Sequence, residues 1–202
     1  VTFRLAYEEI TLAHGGNTVR LRPTLRAATT LERSHDGLAN LFQRVDEFHL
    51  GTVREIVLAS ATDRREAEAF LQSFEGKPLF LMRAIVRPAV ADLCKGFIPA
   101  SDGTAKPASG KPMTWPAFYR ELYRSATGAL GWTAEAAWNA TLTEINEAYA
   151  GHIAMLKAIH GSADDTDTQP DPDQAARNIA AGLDPEFNRA GLRALKGRGK
   201  AA

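Results

Sequence analysis

Val19-Arg20-Leu21-Arg22-Pro23-Thr24-Leu25-Arg26-Ala27-Ala28 is where the periodicity of the chain changes. Up to Arg22 the residues read as extended. Tyr7 to Ala13 and Asn17 to Arg22 alternate in part, and His14-Gly15-Gly16-Asn17 between them has turn chemistry. That pattern predicts a β-hairpin. From Pro23 on, the spacing turns helical. Proline has its φ pre-set for a first helical position, and Leu25, Ala28, Thr29 and Leu31-Glu32 follow on one face.

The helical reading then continues. Ser34-His35-Asp36-Gly37 ends one helix and starts the next. Leu38, Leu41, Phe42, Val45 and Phe48 make an amphipathic stripe at i, i+3, i+4 and i+7. Thr52 to Ala61 predicts a third helix around Ile56, Val57 and Leu58. Thr62-Asp63-x-x-Glu66 is a capping signal for a fourth, which carries Ala67, Phe70, Leu71 and Phe74. Gly76-Lys77-Pro78 breaks it. Leu79 to Cys94 is strongly apolar and reads as one long helix that Pro88 must kink or split.

Composition changes at Ile98. Pro99, Ser101, Asp102, Gly103, Pro107, Ser109, Gly110 and Pro112 crowd one window. This predicts a linker over residues 98–112 between a helical module at 1–97 and a small helical module at 113–161. In the second module Thr114-Trp115-Pro116 reads as a capped helix start, continued by Phe118, Leu122, Tyr123 and Leu130. Shorter helices follow over Ala134–Asn139 and Thr143–His160. Residues 162–202 read as a tail. Its first part holds Asp164, Asp165, Asp167, Asp171 and Asp173 with no basic residue, and its end is basic from Arg189 to Lys200. Weak helices are predicted over Ala175–Ala181 and Pro185–Leu195. The expected fold class is therefore mainly α, opened by a β-hairpin.

The bulk numbers bound the function. The chain has 202 residues, 45% of them hydrophobic and 24% charged, enough to bury a real core. Formal net charge is zero, with 24 basic and 24 acidic residues. That argues against nucleic acid as a dedicated partner, and leaves no global repulsion to oppose self-association. A lone cysteine, Cys94, excludes an internal disulfide and a cysteine-rich zinc site, and fits a reducing compartment. No apolar run reaches the ~20 residues needed to cross a bilayer, and Arg4, Glu8 and Glu9 interrupt any signal-peptide pattern before Leu12.

Chemistry is sparse. The histidines at 14, 35, 49, 152 and 160 form no metal-ligand pattern, and solvated or capping roles are expected of them. The Asp164-Asp165-Thr166-Asp167 run lacks the central glycine and closing glutamate of a calcium loop. Gly15-Gly16 suits a hairpin turn rather than a phosphate cradle. Cys94 has no histidine nearby in sequence and reads as a buried structural thiol. Ser60, Ser73 and Ser125 sit in no nucleophile elbow. No cofactor, metal or catalytic residue is expected, and Trp115, Trp132 and Trp138 serve either a small core or an interface.

Leu130-Gly131-Trp132-Thr133-x-Glu135-x-x-Trp138-x-x-Thr141-x-x-Glu144 resembles the short tail assembly chaperone of gene transfer agents and related siphophages. Ala134 and Leu142 stand where that family has prolines, and Ala137 where it has phenylalanine. The hairpin, Val19 to Ala28, Leu31-Glu32 and the helix from Leu38 resemble the longer gene-transfer-agent tail protein, labelled both tail assembly chaperone and tail tube protein. Together the resemblances cover about residues 5 to 75 and 113 to 160. They imply a phage-type tail assembly chaperone in the host bacterial cytoplasm. It would bind the tape measure protein through residues 1–97, and tail tube subunits through Leu130, Trp132, Trp138 and Glu144. The rival expectation is a structural tail protein, a tube or terminator subunit, which should be rich in strands. A second rival is a small regulatory protein whose basic tail binds DNA.

Overall fold

A computed structural model of the chain describes residues 8–99, 113–160 and 172–180. It is mainly helical and opens on an antiparallel hairpin of β1 (Ile10–His14) and β2 (Asn17–Leu21). Leu12 faces Val19 across the pair and His14 faces Asn17, so the loop is the two residues Gly15-Gly16. Both have positive φ, 57° and 80°, the geometry of the two-residue turn that matches strand twist. The outer edge of β2 is covered. Arg22 N–H donates to the Ser60 carbonyl and Thr62 N–H to the Arg20 carbonyl, both within 2.9 Å. A free edge would invite pairing with another chain.

Helix α1 (Leu25–Ser34) starts two residues later than the proline suggested. Pro23 lies outside it, and Thr24 is the cap, its hydroxyl accepting from Ala27 N–H at 3.2 Å. A hydroxyl acceptor satisfies an orphan amide that proline cannot. Helix α2 (Leu38–Asp46) buries Leu38, Leu41 and Val45, with Phe42 half-buried. Helix α3 (Leu50–Ser60) is capped by His49, and α4 (Arg64–Gln72) by Asp63, whose carboxylate accepts from Arg65 and Glu66 N–H. Helix α5 (Leu79–Lys95) runs unbroken with Pro88 inside, so proline does not split it.

The remaining described elements are α6 (Trp115–Arg124), a π-helical segment (Ser125–Ala129), α7 (Ala134–Asn139), α8 (Leu142–His160) and α9 (Pro172–Ala180). Helix α9 matches the expected weak helix near Ala175. The one expected over Pro185–Leu195, the acidic run to Asp171 and the basic end lie outside the described residues. So does the expected linker beyond Pro99.

The expected division at 98–112 is not where the chain divides. One compact unit runs from Val1 to Ile153 and the other from Ala154 to Ala202. Helices α6, α7 and the start of α8 share the core of α1 to α5. Leu25, Leu31, Leu41, Ile56, Phe70 and Leu93 belong to the same buried cluster as Tyr119, Leu122, Leu142 and Ile145. A module of about 45 residues cannot bury three tryptophans and its own helix faces alone, so it completes its core on α1. The second unit holds the end of α8 and α9, where Met155, Ile159 and Ile179 are exposed.

Candidate partner-binding surface

The residues expected to meet a partner sit on the α6–α8 stretch, so its local construction comes first. Thr114 caps α6 without a side-chain bond, and Pro116 lies in its first turn. The helix turns Tyr119 and Leu122 inward. Trp115, Phe118 and Tyr119 cluster edge to face or tilted, with centroids about 6 Å apart. The Tyr119 hydroxyl donates to the Phe97 carbonyl at 2.9 Å. Burial, and then the Glu32 carboxylate, push this phenol well above the ordinary tyrosine range.

After α6 the chain widens into a π-helical turn. Leu130 N–H donates to Ser125, and Trp132 N–H to Ala126. Gly131 between them has φ 68°, a conformation that favours glycine. Thr133 then caps α7, its hydroxyl accepting from Ala136 N–H at 3.1 Å. The Ala140 carbonyl accepts from Leu25 N–H, a donor left spare at the start of α1.

Each expected contact residue is held by the chain itself. Leu130 is half-buried at the end of the π turn. Trp132 is half-buried against the core. Trp138 packs on Tyr123, ring centroids 4.8 Å apart and planes 30° apart. Glu144 is the most constrained. Thr141 N–H donates to its Oε2 at 2.7 Å, and its own N–H donates to the Thr141 hydroxyl at 3.1 Å. This reciprocal pair is a capping box at the start of α8. The other oxygen, Oε1, receives Arg22 Nη2 at 2.7 Å. Glu144 thus ties α8 to the end of the hairpin, and its charge is already met.

Between residues 128 and 139 what is left to solvent is small or polar: Gly128, Ala129, Gly131, Thr133, Ala134, Glu135, Ala136 and Asn139. Trp132 and Trp138 offer only part of their rings. A second surface is more apolar. Leu79 and Phe80, at the start of α5, are 55% and 72% exposed. The sequence held a signal for it. Leu79-Phe80-Leu81-Met82 places four bulky apolar residues in succession, and one helix face cannot take them all inward.

Of the histidines expected in solvated or capping roles, His14 is packed instead, and His35 caps the end of α1 from a buried position. His14 stacks on Phe74 with centroids 4.0 Å apart, and its Nδ1 lies 2.8 Å from Ser73 Oγ. His35 is buried beside Thr52 and the Leu31 carbonyl. His49 caps α3, as a capping role required. Cys94 is buried, as read from the sequence, and burial pushes its thiol up to about 12. Among the described residues no group of three or more His, Cys, Asp or Glu could hold a metal ion, and no helix is long and apolar enough to cross a membrane. Comparison of the chain with known protein families, curated proteins and solved structures gave no match.

Proposed function

We propose that this chain is a phage-type tail assembly chaperone that binds the tape measure protein and recruits tail tube subunits during tail assembly. The observation that carries this reading is bulky apolar side chains left uncovered on helices. Leu79 and Phe80 are exposed side by side on α5, and Met155 and Ile159 on the end of α8. Scattered exposed apolar residues are ordinary, but adjacent ones mark surfaces that meet other proteins. Burying one such side chain in a complex contributes roughly 1.5–3 kcal/mol. A chaperone of a long, aggregation-prone helical protein needs such faces and no catalytic group.

The resemblance at Leu130–Glu144 and at Val19–Leu31 supplies the partners. The helical fold supports this reading over a tube subunit, whose rings would stack through sheets. In it, Leu130, Trp132 and Trp138 contribute the half-exposed surface for tail tube subunits, and Glu144 positions that surface from within.

Co-expression with a siphophage tape measure protein, followed by pull-down, tests the reading. The tape measure is expected to become soluble and to co-purify. Unchanged solubility with no capture sinks it.

A further inference from the structure

Helix α5 keeps a strip of itself in solvent. Phe80, Ala84, Pro88 and Ala91 recur along it at helical spacing. Phe80 is the most exposed large apolar side chain among the described residues. Beyond it Ala84, Pro88 and Ala91 are small, and with Arg83 and Arg87 they line a shallow, open depression of about 510 Å³ on the helix surface. Pro88 has no N–H, so the Ala84 carbonyl lacks its ordinary helical donor. The charge here is predominantly basic. From Lys77 to Ala91 the chain carries Lys77, Arg83 and Arg87 and no carboxylate, and Asp92, one turn beyond Pro88, is paired with Lys95 at 2.6 Å. The acid that α2 turns toward the strip, Asp46, stands 3.9 Å from Arg87 with its side chain 79% exposed.

We infer that this strip docks an acidic amphipathic helix of a partner protein. One bulky apolar side chain of that helix enters the depression beyond Phe80. Carboxylates flanking it pair with Arg83 and Arg87, whose planar forks suit them. The small residues of the strip let the two backbones approach closely. An anionic lipid surface would also attract the arginines. A concavity behind a single aromatic, rather than a continuous apolar ridge, suits a side chain better than a bilayer. The inference rests on the chaperone reading only for the partner's identity, the tape measure protein.

The test uses the full chain and a fluorescein-labelled synthetic peptide of about 18 residues, long enough to hold a helix when bound. Its leucines lie at every third and fourth position with glutamates beside them. A second peptide has lysine for each glutamate, and phosphatidylglycerol vesicles are the third probe. By fluorescence anisotropy the chain is expected to bind the glutamate peptide about ten-fold more tightly than the lysine peptide. Arg83→Gln with Arg87→Gln is expected to level the two, and Arg83→Glu with Arg87→Glu to reverse their order. Phe80→Ala is expected to weaken the glutamate peptide about ten-fold. Circular dichroism should be unchanged in all three variants, because the replaced side chains are exposed. Equal binding of the two peptides, a preference that survives either arginine variant, or displacement of the peptide by the vesicles overturns the inference. The two readings fail separately. A wild-type chain that binds the glutamate peptide yet leaves the tape measure insoluble refutes only the chaperone. A Phe80→Ala, Arg83→Glu, Arg87→Glu chain that still solubilises the tape measure refutes only the site.

Discussion

Glu144 stands among the residues the sequence singles out, and the structure gives it three bonds to its own chain. Its partner Arg22 lies 122 residues away, beyond the reach of any local pattern. The capping box was legible as Thr141-x-x-Glu144; the ion pair was not. Removing the carboxylate takes away both a helix cap and a charge-assisted bond. Glu144→Ala is expected to cost about 1–3 kcal/mol in urea unfolding. A cycle with Arg22→Ala should show coupling of about 1 kcal/mol, because the two residues touch. Additive losses would mean that the pair contributes nothing. Cys94 and Tyr119 make a second prediction at this scale. The thiol is raised from 9.0 to about 12 by burial, and the phenol is raised for the same reason with Glu32 adding to it. Above pH 9 the unfolded chain releases the thiol proton and the folded chain keeps it. The unfolded state then binds fewer protons, so stability is full below pH 9 and falls as pH rises toward 12. Tyr119 adds to the fall above pH 10. The urea midpoint should drop through this range, and drop less in Cys94→Ala or Tyr119→Phe. A flat profile in the wild type refutes the assignment.

Elements begin and end largely where local chemistry places them. Gly15-Gly16 fits a two-residue turn, Asp63 caps α4 and Thr133 caps α7, each through bonds that reach no further than three residues. Pro23 misled because its fixed φ suits a first helical turn as well as the approach to one, and Thr24 offered the better cap. Pro88 misled differently. A helix tolerates a missing bond when its other face is anchored, and Met82, Val86, Val90 and Leu93 anchor α5 from within. The close fit of elements is a matter for the tertiary structure alone. A Cβ on Gly96, just past α5, would stand 2.5 Å from both Cβ and Cγ of Pro23. Its φ of −69° is ordinary, so the constraint is steric and not conformational. Gly96→Ala must push the end of α5 away from the approach to α1. It is expected to cost about 1–3 kcal/mol in thermal or urea unfolding. A neutral outcome would show that the two segments part easily.

On the scale of the whole molecule, the stretch from Arg20 to Leu25 is a hub. Residues 60–62 pair with it on one side and residues 140–144 on the other. Through it α6, α7 and the start of α8 become part of the first unit. Two pieces of chain, 1–99 and 113–202, are therefore expected to co-purify when expressed together. The second piece alone should lose helical signal by circular dichroism, since Tyr119, Leu142 and Ile145 are buried in the common core. A second piece that folds by itself and ignores the first would restore the two-module division expected from the Pro- and Gly-rich window.

Sequence by itself determined the hairpin, the succession of helices, most caps and the buried state of Cys94. Each depends on bonds within a turn or on the period of apolar residues, and both are written locally. Only the tertiary structure decided that residues 113–153 share one unit with the hairpin and α1, that Glu144 answers Arg22, and that Phe80 faces solvent while Met82 and Val86 do not. The stretch Val19–Ala28 marks the change from strand to helix by its spacing. The groups that pair with its backbone lie some 40 and 120 residues further along, and periodicity carries no information across such distances.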